Sequence, residues 1–98
     1  MSAELASLRA KIDALDRRVV ELLNRRLATV SAIGRLKAEL GLKSYSKSRT
    51  AEIMRNLAAA NRGPHTTAQL RRIYRQVVAA SVELQERESK QGRKAKRR

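Results

Sequence analysis

Apolar residues recur at intervals of three and four through the first forty positions of the chain. Leu5, Leu8, Ile12, Leu15, Val19, Leu22, Leu23, Leu27, Val30 and Ile33 share one side of a helix that turns about 100° per residue. The periodicity predicts one long helix that starts near Ser2 or Ala3 and stops at Gly41, a residue suited to a helix C-terminus. At about 1.5 Å per residue such a helix exceeds about 50 Å, more than the remaining chain can cover. An intertwined or antiparallel homodimer is therefore expected to bury the stripe. Two cations interrupt it. Arg26 continues the row between Val19 and Ile33, and Lys37 continues the row from Val30. Burying a charge costs several kcal/mol unless something pairs with it, roughly as much as a whole core contact. No acid lies on the stripe at either level, so either an external anion meets the two cations or their stems cross the core and their heads reach water. Gly34, on the same stripe, leaves room for a backbone or ligand to come close.

Beyond Gly41 a polar connection, Leu42 to Ser48, carries Ser44, Ser46 and Ser48. Ser48 or Ser46 can cap a second helix, expected from Arg49 to Asn61, with Ile53, Leu57 and Ala60 as its apolar face and Gly63-Pro64 as its stop. Arg49 would sit in the first turn, where the helix dipole disfavours a cation. It is either a surface arginine or a ligand for an anion. Thr66 or Thr67 caps a third helix expected to reach about Glu88. Its broad face is Leu70, Ile73, Tyr74, Val77, Val78, Ala80, Ser81 and Leu84, with Gln85 one turn beyond Ser81. No period-two strand pattern and no internal repeat occurs. The expected class is all-α: one long helix and two shorter ones, forming an intertwined homodimer.

Composition narrows the chemistry. The 98 residues include no Cys and one His, which excludes thiolate metal sites and argues against any protein metal centre. The net charge of +14 is uneven: Lys90, Arg93, Lys94, Lys96, Arg97 and Arg98 form a terminal run without an acid. We read residues 1–89 as one helical domain and 90–98 as a basic, disordered tail. The first 89 residues still hold 17 cations against 9 acids, which suits an acidic partner. With Tyr45 and Tyr74 as the only aromatics, stacking on nucleic acid bases is poorly supplied. No apolar run spans a bilayer and the opening residues do not read as a signal peptide, so the cytoplasm is the expected compartment and no membrane is involved.

Collected, the misplaced polar residues are Arg26, Lys37, Arg49, Ser81 and Gln85. They comprise three cations and two neutral hydrogen-bonding groups, with no nucleophile–base pair and no paired carboxylates. Such a set would bind a small dicarboxylate and act by positioning and electrostatics. Their motifs resemble the all-α, bacterial-type chorismate mutases. Leu8-Arg9-Ala10-Lys11-Ile12-Asp13-Ala14-Leu15-Asp16 is similar to the family's L-R-x-x-I-D-x-L-D opening, and Leu22-Leu23-Asn24-Arg25-Arg26 to L-L-x-x-R. Ile33-Gly34-Arg35-Leu36-Lys37 matches I-G-x-x-K, and Ser81-Val82-Glu83-Leu84-Gln85 resembles S-x-x-x-Q. The resemblance covers residues 5 to 87 and leaves out the basic tail.

The resemblance implies a cofactor-free rearrangement of chorismate to prephenate in phenylalanine and tyrosine biosynthesis. It implies that Arg26 and Arg49 hold substrate carboxylates, with Ser81 in support, and that Lys37 and Gln85 hydrogen-bond the ether oxygen. It also implies that Arg9 reaches the site from the other protomer, and that another shikimate-pathway enzyme could be a partner. The chain departs from the family at Ser46 and Thr50, where acids usually meet the substrate hydroxyl. These two hydroxyls are expected to contact substrate without bringing charge. Losing a charged hydrogen bond there costs about 1.5–3 kcal/mol, or roughly ten- to a hundredfold in rate. Two alternatives stay open. One is a mutase or pyruvate-lyase acting on isochorismate or an amino analogue, and the other is a non-catalytic regulatory or nucleic-acid-binding protein of this fold.

Overall fold

The structure, a computed structural model, describes the backbone of residues 2–96 and the side chains of residues 2–90. It consists of three helices: α1 (Ala3–Leu40), α2 (Lys47–Ala60) and α3 (Thr67–Lys96). Each boundary has a local cause. Ser2 caps α1 by accepting a hydrogen bond from the Leu5 N–H, and Glu4 places an acid at the positive end of the helix dipole. Gly41 ends α1 in the left-handed conformation, φ 70° and ψ 24°. The Gly41 N–H then reaches the Ala38 carbonyl and the Leu42 N–H reaches that of Lys37, closing off two carbonyls that the helix leaves free.

Two expected boundaries move. α2 begins at Lys47, two residues before the expected Arg49, because Ser46 rather than Ser48 accepts from the Arg49 N–H. Thr66 caps α3 in a reciprocal pair: its hydroxyl accepts from the Gln69 N–H while the Gln69 side-chain oxygen accepts from the Thr66 N–H. At its other end α3 runs past the expected stop at Glu88 to Lys96, so the helix crosses the expected 89/90 boundary without a break. The backbone of residues 90–96, the first part of the expected basic tail, is helical. Positions 97 and 98 of that tail lie outside the described residues.

α3 packs against both other helices, whereas α1 and α2 make no close backbone approach to each other. The pairs Arg26–Ser81 and Ser31–Glu88 show that α1 and α3 run in the same direction. The result is an elongated body of 63 × 28 × 15 Å in which α2 stands off from α1. Among the described residues the only buried hydrophobic side chains are Val30 and Val78. Leu5, Leu8, Ile12, Leu15, Val19, Leu22 and Leu23 are 40–57 % exposed along the N-terminal half of α1. One end of the molecule thus has the makings of a core and the other end carries an open apolar stripe.

Candidate active site

The gap between α1 and α2, floored by α3, is a cavity of about 310 Å³, within the usual range for small-molecule sites. α1 contributes Arg26 and Lys37 to its wall, α2 and the turn before it contribute Ser46, Arg49 and Thr50, and α3 contributes Ser81 and Gln85. Seven of the eight residues expected from sequence are therefore brought together. Arg9 is not among them: it is exposed on the free half of α1, 17 residues or about 25 Å of helix from Arg26. Among the described residues no Asp or Glu lines this cavity, on which three cations converge.

The cations are held, each differently. Arg26 is half-buried and its Nη1 donates to Ser81 Oγ at 2.5 Å, while its guanidinium carbon lies 5.6 Å from the centre of the Tyr74 ring. Ser81 is 5 % exposed and donates in turn to the Val77 carbonyl at 3.0 Å, which leaves its oxygen facing Arg26 as an acceptor. Stacking and this hydrogen bond fix the direction of the guanidinium without neutralising it. Lys37 Nζ donates to the Ser44 carbonyl at 3.3 Å, a neutral acceptor that likewise leaves the charge free. Arg49, expected as either a surface arginine or a ligand for an anion, pairs through its Nη1 with Glu52 Oε1, one turn along the exposed face of α2. An exposed i,i+3 pair of this kind is weak, and an incoming carboxylate can displace it.

Gln85 is 7 % exposed, and its side-chain oxygen is buried with no hydrogen-bond partner. A buried amide oxygen left this way is costly and is free to accept a hydrogen bond. Ser46 and Thr50 both line the cavity, but their hydroxyls already have local work. Ser46 Oγ accepts from the Arg49 N–H, and Thr50 Oγ1 donates to the Ser46 carbonyl at 3.1 Å. The edge of the site they form is neutral and partly satisfied.

Sequence reasoning missed the pairing of Arg49 with Glu52, the Ser44 carbonyl, Tyr74 as the platform under Arg26, and Glu88. The Arg49–Glu52 spacing was a usable signal, because side chains three apart on a helix meet. A backbone carbonyl such as that of Ser44 carries no mark in residue type. Glu88 accepts from Ser31 Oγ and lies 4.0 Å from Arg35 Nε, one turn beyond Gln85. A second hollow of about 390 Å³ lies against Met54, Ala79 and Glu86, shares Thr50, Val78 and Val82 with the first, and holds none of the three convergent cations. Among the described residues no cluster of His, Cys, Asp and Glu is suited to a metal ion. No described helix is long and apolar enough to cross a membrane.

Comparison with known proteins agrees with this fold. A chorismate mutase from Thermus thermophilus superposes with a TM-score of 0.83 at 36 % identity, over 86 % of this chain and 96 % of that one. A bifunctional chorismate mutase/prephenate dehydratase from Stutzerimonas stutzeri is 25 % identical over 88 residues, covering 85 % of this chain and 24 % of its own length. A T-protein from Enterobacter agglomerans is 39 % identical over 54 residues, which is 55 % of this chain and 14 % of that protein. The chain thus spans a quarter or less of the length of these curated relatives. The family model for type II chorismate mutases matches residues 8–86, a span that includes most of α1, all of α2, the first two-thirds of α3 and every residue placed at the cavity. The chain belongs to the type II chorismate mutase family.

Proposed function

We propose that this chain is a chorismate mutase, an isomerase that converts chorismate to prephenate without cofactor. The observation that carries the proposal is the convergence of Arg26, Lys37 and Arg49 with the unpartnered Gln85 on one acid-free cavity. The reaction is intramolecular: a C–O bond of the ether breaks as a C–C bond forms, and no proton has to be transferred. Catalysis then needs a compact substrate conformation and stabilisation of negative charge growing on the ether oxygen. Arg26, supported by Ser81, and Arg49, released from Glu52, bind the two carboxylates. Lys37 and Gln85 face the ether oxygen, Lys37 as a charged donor and Gln85 through its side-chain NH2. Each such donor is worth about 1.5–3 kcal/mol when its bond tightens in the transition state.

Two protomers complete the site. The half-exposed side chains of Leu5, Leu8, Ile12, Leu15, Val19, Leu22 and Leu23 gain about 1 kcal/mol each when covered. A second copy of α1 laid along the stripe is the economical cover, and it brings Arg9 to a cavity that Arg9 cannot reach in its own chain. Arg9 of each protomer then contacts substrate bound by the other. The names of the bifunctional relatives support a working partnership with a pathway enzyme that consumes prephenate, and a cytoplasmic setting suits that role.

An isomerase or pyruvate-lyase acting on isochorismate is the second reading, favoured by the neutral edge at Ser46 and Thr50. The amino analogues fit less well, because an ammonium group would enter a cavity that already holds three cations. Proton NMR of the products distinguishes the readings. Prephenate from chorismate with no pyruvate supports the mutase. Pyruvate release, or turnover of isochorismate alone, overturns it.

A further inference from the structure

We propose that Gly34 is a positioning residue for Gln85, and that the gap it leaves between α1 and α3 aims the Gln85 amide into the cavity; this rests on the mutase reading above. Gly34 is buried, and its backbone is not among those with positive φ, so glycine is required here for space rather than for conformation. A Cβ at this position would lie 3.1 Å from Gln85 Cγ, 3.3 Å from Gln85 Cα and 3.4 Å from Glu88 Oε2. The two side-chain atoms could rotate away. The backbone of Gln85 could not, so relief there requires α3 itself to shift by a few tenths of an ångström.

Gln85 depends on that packing because its side-chain oxygen finds no partner to hold the amide in place. One turn along, Ser31 Oγ donates to Glu88 Oε1 and Arg35 Nε approaches Glu88 Oε2 at 4.0 Å. The Ser31–Glu88 hydrogen bond ties α3 to α1 at the level of Gly34, and the longer Arg35 contact adds only a weak attraction. Ser31, Gly34 and Arg35 form one turn of α1 that grips the turn of α3 carrying Gln85 and Glu88. None of the three lines the cavity or would touch substrate.

Gly34→Ala tests the proposal, since alanine is the better helix former and leaves α1 itself intact. We expect kcat to fall about tenfold, as misplacement of a reacting group does, with KM within about twofold of wild type. In a Gln85→Ala background the same substitution should cost less than about twofold, because the group it displaces is gone. Equal losses in both backgrounds, or no loss in either, overturn the proposal. The side-chain amide signals of Gln85, identified in NMR spectra by their absence in Gln85→Ala, should shift in Gly34→Ala. Unmoved signals also overturn it. This readout needs no turnover, so it decides the positioning role even where wild-type protein leaves chorismate unchanged and the mutase reading itself falls. Should Gly34→Ala fail to fold, Ser31→Ala frees Glu88 and carries the same paired comparison, with a smaller kcat loss expected and the same additive outcome counting against the proposal.

Discussion

At the scale of single residues, Arg26 is where the arrangement is most sharply defined. Its hydrogen bond to Ser81 and its position over Tyr74 orient a charge that no carboxylate neutralises. Arg26→Ala should therefore lower kcat/KM about a hundredfold, the upper end of the worth of a charged hydrogen bond made to a developing or bound anion. A near-normal kcat/KM would mean that the substrate lies elsewhere. Thr50→Glu makes the opposite prediction. It adds an acid early in α2, where the dipole favours it, and gives the neutral edge a charged acceptor for a substrate hydroxyl. Chorismate turnover should rise, and steady-state kinetics showing no rise would contradict the role given to that position. Arg26 and Lys37 were legible in the sequence because a seven-residue spacing put them among core positions. The engagement of Glu52 and of the Ser44 carbonyl was not, since helical adjacency does not say which acid is engaged and a backbone acceptor has no letter of its own.

At the scale of elements, α2 is the piece on which the site most depends and which is least secured. It packs on α3 alone and carries Arg49 and Thr50 over the cavity. Its start is set by one hydroxyl, that of Ser46, accepting from the Arg49 N–H. Ser46→Ala should destabilise the protein by about 1 kcal/mol and raise KM more than it lowers kcat, because Arg49 loses its fixed origin. Denaturant titration and steady-state kinetics on one preparation measure both. Unchanged stability with unchanged KM would show that Ser48 can replace the cap. Helix number, order and approximate length followed from periodicity and from Gly41 and Gly63-Pro64. The choice between Ser46 and Ser48 did not, because both satisfy the same capping chemistry. The helix expected to stop near Glu88 continues to Lys96, because the sequence there has no Pro to end it.

At the scale of the whole molecule, the exposed stripe of α1 and the remoteness of Arg9 are two sides of one arrangement. Leu15→Lys on that stripe should shift the protein toward monomer in sedimentation velocity and lower its melting temperature, while a dimer of unchanged stability would place the interface on another face. Mixing is a finer probe. Arg9→Ala and Arg26→Ala proteins should each be nearly inactive. After subunit exchange they should together recover about a quarter of wild-type activity, since half the dimers are mixed and each of those has one intact site of two. No recovery would assign Arg9 to its own chain or to no site. The proposal of a second copy rests on helix length, because a stripe this long exceeds what the rest of a 98-residue chain can cover.

The measurement that bears most directly on the account follows the disappearance of chorismate and the appearance of prephenate with purified wild-type protein and with Arg26→Ala. Conversion by the wild type, reduced about a hundredfold in the variant, is the expected result. Chorismate left unchanged at millimolar concentration by folded dimer, or equal conversion by Arg26→Ala, would contradict it.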